Sequence, residues 1–225
     1  MMPLTDKHLA VLRRHMVELI SLHAEVLEDE LGKQSLQAGV LDVMQRVPRH
    51  LFVPPELAAL AYQDSPLPIG FNKTISQPFI CALMTSLLDP GPGDVVLEIG
   101  TGFGYQTAIL AELANRVSTV EIVEEFSSHA EAVLEQLGYS NVSFRVGDGS
   151  RGWIEHAPFD KIMLTAAPER VPSALVDQLK PGGTMVLPVG PAEDQRLTVL
   201  DKDGGGMIHA REVIPVRFSG LETVI

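Results

Sequence analysis

Between Val96 and Leu110 the chain reads VLEIGTGFGYQTAIL, an apolar strand that passes through alternate glycines directly into a helix. A strand that turns straight into a helix sends the chain back over its own sheet, so the next strand lies parallel to the first. Gly100, Gly102 and Gly104 let backbone approach a ligand where a side chain would block it. A second strand, RVSTVE, follows and ends at Glu121. That acid stands about 20 residues beyond the first glycine, the spacing at which a carboxylate commonly holds the two hydroxyls of a ribose.

The alternation continues. Strands are expected at Val95–Ile99, Arg116–Glu121, Val142–Val146, Lys161–Thr165 and Thr184–Val189, with helices at Tyr105–Leu113, Glu124–Leu137 and Pro172–Leu179. This order predicts an α/β fold, a doubly wound and mostly parallel sheet covered by helices on both faces. Upstream, the apolar spacing predicts a helix from Asp6 to Leu31 with a stop at Gly32, and a short helix from Val40 to Arg46. Gln63–Lys73 is dense in Pro, Gly, Asp and Asn and reads as an ordered loop. Ile75-Ser76-Gln77-Pro78 reads as a helix start, with Ser76 or Gln77 near the N-cap. After Gly190 the pattern changes: Arg196–Leu200 and Ile208–Phe218 alternate about an Asp-Gly-Gly-Gly turn, which predicts antiparallel edge strands.

In such sheets ligands sit beyond the carboxyl ends of the strands, where strand order reverses. The loops at Asp148-Gly149 and at Thr165 should therefore face the same crevice as Gly100 and Glu121. Dinucleotide sites require G-x-G-x-x-G, and here Tyr105 stands where the third glycine belongs. Glu98 just before the turn would repel a pyrophosphate but suits a cationic ligand. S-adenosyl-L-methionine, with its sulfonium and ammonium and no phosphate, matches this set better than a nicotinamide cofactor. Asp148 could accept from an adenine amino group.

Composition narrows the substrates. With 17 basic and 29 acidic residues the formal charge is −12, and no Lys/Arg cluster interleaved with aromatics offsets it. A nucleic-acid partner would meet long-range repulsion. The lone Cys81 excludes an intramolecular disulfide and gives no metal-ligand spacing, so no metal is expected. No signal core opens the chain, and FICALMTSLL (Phe79–Leu88) is too short and polar to span a bilayer. These points predict a soluble, cytoplasmic protein without a membrane partner.

TISQPF (Thr74–Phe79), the glycine run, GDG (Gly147–Gly149), LTAAPERVP (Leu164–Pro172) and LKPGGTMVLPVGP (Leu179–Pro191) together resemble protein-L-isoaspartate O-methyltransferases. VPRHLFVPP (Val47–Pro55) and SPLPIG (Ser65–Gly70) extend the likeness collinearly over roughly residues 40 to 218. The resemblance implies methyl transfer from S-adenosyl-L-methionine, leaving S-adenosyl-L-homocysteine, to the free carboxylate of isoaspartyl residues in damaged proteins and peptides. The ester then closes to a succinimide whose hydrolysis returns some normal aspartate.

The same resemblance places the family's functional serine on Ser76 and its cofactor loop on Gly100, Gly102 and Gly104. Its ribose acid falls on Glu121 and its adenine-side pair on Asp148 and Gly149. Thr74, Ile75, Glu98, Thr101, Ile122 and Thr165 complete the expected cofactor contacts. It also implies a variant order for the last two strands, and it is consistent with one methyltransferase domain over residues 1–225. Within that domain, 1–75 is a helical and loop segment, 76–190 the cofactor core and 191–225 the substrate-side strands. A monomer is expected, with a dimer as the alternative.

Ser76 as a plain N-cap competes with its catalytic role. Two departures bear on substrate scope: the helix-like stretch Leu22–Gln37 exceeds the usual short connection, and Ser219-Gly220 replaces a more apolar continuation. The competing functions are an aspartate methyltransferase that drives aspartimide formation in a dedicated peptide, and a non-catalytic cofactor-binding adaptor. A nicotinamide dehydrogenase is disfavoured by the glycine spacing. Methylation of base amino groups is disfavoured because the fourth strand ends in Leu-Thr-Ala-Ala-Pro.

Overall fold

The computed structural model describes residues 5–27, 31 and 36–224. Helix α1 (Asp6–Val26) and helix α2 (Ala38–Arg46) open the chain, followed by two 3-10 turns at Arg49–Phe52 and Pro55–Leu60. The expected stop at Gly32 lies outside the described residues. Within α1, Met16 and Ile20 are fully buried, the inner face that the apolar spacing predicted.

Strands β1 (Leu67–Gly70) and β2 (Lys73–Ile75) then pair antiparallel, with Leu67 opposite Ile75. A loop was expected here. The Pro and Gly content hid a hairpin whose turn places Phe71 and Asn72 in the left-handed region, at φ 48° and 56°. Two consecutive left-handed residues match the twist of flanking strands. Phe71 is held in place by an edge-on contact with the Phe126 ring, centroids 5.4 Å apart.

The core alternates as expected: α3 (Pro78–Leu88), β3 (Val95–Ile99), α4 (Tyr105–Leu113), β4 (Arg116–Glu121), α5 (Glu124–Gln136), β5 (Val142–Val146), β6 (Phe159–Leu164), α6 (Ser173–Gln178) and β7 (Leu179–Val189). Two further strands, β8 (Gln195–Lys202) and β9 (Ile208–Val216), complete a seven-stranded sheet of order β5-β4-β3-β6-β7-β8-β9. Strands β3 to β7 run parallel, whereas β8 and β9 join in chain order as antiparallel neighbours at one edge.

Strand residues alternate between two cores. Val96, Met163 and Val186 pack towards α3, α4 and the N-terminal helices, whereas Leu97, Ile162 and Leu187 pack with Leu175 of α6. Both faces of β3 and β6 are thus sealed. The direction of strand addition reverses between them, and their carboxyl ends are where a crevice opens.

Candidate active site

That crevice holds a cleft walled by the glycine turn, the ends of β4 and β6, the segment after β2 and the C-terminal tail. Thr74, Ile75 and Ser76 line one side, and Gly100, Thr101, Gly102 and Gly104 the other. Glu121 and Ile122 lie in the wall from β4, with Gly149 and Thr165 from the two following loops. The structure thus gathers most of the expected residues around one space.

The turn geometry explains the glycines. Gly100 and Gly104 have φ of 96° and 94°, and neither leaves room for a β-carbon. At Gly100 that atom would collide with the Thr165 hydroxyl, and at Gly104 it would stand 2.6 Å from Leu134 Cδ1. Thr165 clamps the turn by donating its hydroxyl to the Gly100 carbonyl at 2.6 Å. Gly149, in turn, lies against Ile99 so closely that any side chain would overlap it.

Glu121 braces the same loop. One carboxylate oxygen accepts from Gly102 N at 2.8 Å, and the other accepts from Ile122 N and Val123 N, both at 3.0 Å. The side chain therefore stays fixed in the cleft wall, an anchored acceptor for hydroxyl groups.

Two expected contacts are placed elsewhere. Glu98 does not reach the cleft: it is fully buried, and its Oε2 accepts from Thr107 at 2.5 Å and Thr119 at 2.7 Å. Burial pushes its carboxyl up to about 8, against the pull of those two hydroxyls. It is a protonated brace behind the glycine loop rather than a carboxylate facing a cation. Asp148 turns away too, accepting from Ser150 N at 2.9 Å and Ser150 Oγ at 2.7 Å, and from Val224 N in the tail at 3.2 Å. Burial opposes its ionisation, but the bonds from Ser150 and Val224 and nearby Arg151 hold its carboxyl below the usual range.

Ser76 is half-buried, and its hydroxyl has no hydrogen-bond partner among the described residues. The N-cap of α3 is Gln77, so Ser76 is not the cap. Asp64 takes that role, accepting from Phe79 N at 2.8 Å while also holding Gln77 Nε2 and His23 Nδ1 at 3.0 Å each. The start of α3 is therefore already matched to a carboxylate of the chain itself. What remains is the free Ser76 hydroxyl.

Sequence reasoning missed Arg49. It is fully buried, donates Nε to Ala61 O at 2.8 Å and Nη2 to Ser76 O at 2.7 Å, and lies 4.6 Å over the Tyr105 ring. It fixes the backbone that carries Ser76. Its place inside VPRHLF was the available signal, since an arginine amid apolar residues requires buried acceptors. The tail, expected on the substrate side, also walls the cofactor cleft: Ser219, Gly220, Leu221 and Glu222 line it, held by a bridge in which Ala167 N donates to Ser219 O and Leu221 N to Ala167 O. Cys81 borders the cleft, but burial pushes its thiol up to about 11, so it stays protonated and is no nucleophile.

The protein-L-isoaspartate(D-aspartate) O-methyltransferase family matches residues 23–223. The chain belongs to that family. Protein-L-isoaspartate O-methyltransferase 1 of Polaromonas sp. (strain JS666 / ATCC BAA-500) is 51% identical over 219 residues, 97% of this chain and 93% of that protein. The enzyme of Gloeobacter violaceus is 52% identical over 195 residues, covering 86% and 95% of the two chains. A solved protein-L-isoaspartate O-methyltransferase superposes with a TM-score of 0.79 at 25% identity over 92% of this chain and 65% of its own. A Plasmodium falciparum family member, solved with S-adenosyl-L-homocysteine, shares the fold at a TM-score of 0.76 and 21% identity, over 93% and 98% of the two chains.

The cleft suits the family's cofactor. Gly102 sits in its wall with only Ile69 Cδ1, at 3.5 Å, near the position of an added β-carbon, so bare backbone faces the space. The fixed Glu121 carboxylate supplies a hydroxyl acceptor and a negative charge. Among the described residues no group of three or more His, Cys, Asp or Glu is placed to hold a metal ion, and no helix is long and apolar enough to cross a membrane.

Proposed function

We propose that this chain methylates the free carboxylate of L-isoaspartyl residues in damaged proteins and peptides, with Ser76 orienting the acceptor. Family membership carries the activity. One observation supports the residue roles: Thr74, Ser76, Thr165 and Ser219 line both the glycine-turn cleft and an open groove beside it. A ligand in the cleft and a peptide in the groove would meet at Ser76.

S-adenosylmethionine supplies an electrophilic methyl group when bound. An isoaspartyl carboxylate is already ionised at neutral pH, so no general base is required. The chain's own task is alignment and exclusion of water, and well-oriented reactants can save up to about 7–11 kcal/mol of barrier. The Ser76 hydroxyl donates to one oxygen of the acceptor and fixes the direction of the other. Arg49, bonded to the Ser76 carbonyl, keeps the hydroxyl in register. Thr74, Ile75, Gly100, Thr101, Gly102, Gly104, Glu121, Ile122, Gly149 and Thr165 hold the cofactor. Glu98 and Asp148 support it from behind through the glycine loop and the tail.

Matched peptides that differ only in aspartate or isoaspartate linkage, incubated with labelled S-adenosylmethionine, test this reading. Saturable methylation of the isoaspartyl peptide alone is expected. Methylation only of ordinary aspartate in a dedicated precursor would replace repair with a maturation role, and cofactor binding without turnover would leave an adaptor. The chain acts as a monomer, and light scattering on the purified protein checks that. It unfolds as one domain, to be seen as a single calorimetric transition. The proposed cytoplasmic location is checked by cell fractionation.

A further inference from the structure

Beside the cofactor cleft, the groove continues from Ser76 and Ser219 along the end of β9, between Pro215–Phe218 and the facing Gln77 and Ile80. Among the described residues its lining contains no aspartate or glutamate, and one charged side chain, Arg217. Arg217 is exposed and has no ion pair or hydrogen bond among the described residues. In a chain with 29 acids against 17 bases, an uncompensated cation thus stands in the very groove that leads to the serine.

We propose that Arg217 reads an acidic side chain close to the isoaspartyl position, so that the protein prefers isoaspartyl sites in acidic segments. This rests on the groove being the peptide site. Ser219 lies at the junction of groove and cleft, and two residues of chain span at most about 7 Å. The guanidinium therefore serves a partner within about two residues of the reacting one. The overall negative charge repels acidic peptides at long range, but screening over about 8 Å at physiological ionic strength leaves the local pair to decide. Phe218, next to Arg217 in the same wall, offers apolar surface against which the stem of the acidic residue can pack.

The test is a set of isoaspartyl peptides identical except for Glu, Gln or Lys two residues to either side, assayed as kcat/KM with the parent protein, Arg217→Gln and Arg217→Glu. For the parent, Glu is expected to exceed Lys by roughly 5-fold on one side, the scale of a single exposed charge pair. Arg217→Gln flattens the order and Arg217→Glu inverts it. The parent's preference shrinks in 0.5 M salt, on the order expected for screened charges. Equal kcat/KM across the set, or an unchanged order in Arg217→Glu, overturns the role of Arg217 and leaves carboxyl methylation standing. No methylation of any isoaspartyl peptide overturns both.

Discussion

Lys73 Nζ and Glu222 Oε1 stand 2.6 Å apart beside the cofactor cleft, joining the β1–β2 hairpin to the C-terminal tail. Both residues line the cleft, and a second tie at Asp148 holds the tail two residues further on. A ligand that leaves between the hairpin and the tail has to part this pair.

Glu222→Gln is therefore expected to speed release of S-adenosylhomocysteine by about 2- to 5-fold, the scale of one partly exposed ion pair. Stopped-flow displacement measures it. An unchanged rate, with the tail still in place, would show that ligand leaves by another route.

Ser76→Ala removes a hydroxyl that bonds to nothing among the described residues. Its thermal midpoint and its affinity for S-adenosylhomocysteine should match the parent. Turnover of an isoaspartyl peptide should fall on the order of 10- to 100-fold, since one hydrogen bond to a charged group is worth about 1.5–3 kcal/mol. Full activity would remove Ser76 from the mechanism.

The glycines separate stability from binding. Gly104→Ala sets a β-carbon at φ 94° and 2.6 Å from Leu134, so it should lower unfolding stability by about 1–3 kcal/mol in urea titrations. Gly102→Ala meets only Ile69 at 3.5 Å and should cost about 1 kcal/mol for its left-handed backbone. Its larger effect should appear in cofactor affinity, because the new methyl group enters the cleft wall. Comparable binding losses at matched stability losses would contradict this division.

Glu98 makes stability depend on pH. Its folded carboxyl titrates near 8, well above the ordinary glutamate value, so the folded chain keeps a proton that the unfolded chain releases near 4.3. Stability from this group is fully present below pH 4.3 and is lost as pH rises towards 8. Glu98→Gln stays neutral throughout and keeps an oxygen for Thr107 and Thr119. Its thermal midpoint relative to the parent should rise steadily between pH 5 and pH 8. A pH-independent difference would place the titration elsewhere.

How far the sequence could be read followed how local each determinant is. The unit from Val95 to Leu113 was legible because strand, turn and helix are written in adjacent residues, and its boundaries agree with the expectation. The β1–β2 hairpin was not, because the left-handed Phe71 at its turn packs against Phe126, far along the chain. Glu98 and Asp148 were recognised as acids near the turn, but their directions depend on Thr107, Thr119 and Val224. The tail segment Ser219–Leu221 gave no periodic signal, since its pairing is a single bridge to Ala167.

Asp64 gives the N-terminal helix a stake in the chemistry. One carboxylate grips His23 of α1, Gln77 and the first turn of α3, and the His23 ring stacks on Phe79 at 4.1 Å. Trimming α1 away would strip Asp64 of a neighbour and bare the ring of Phe79, three residues beyond Ser76. Helix α1 works as the rear abutment of the serine turn, and a shortened chain would register the loss first in turnover.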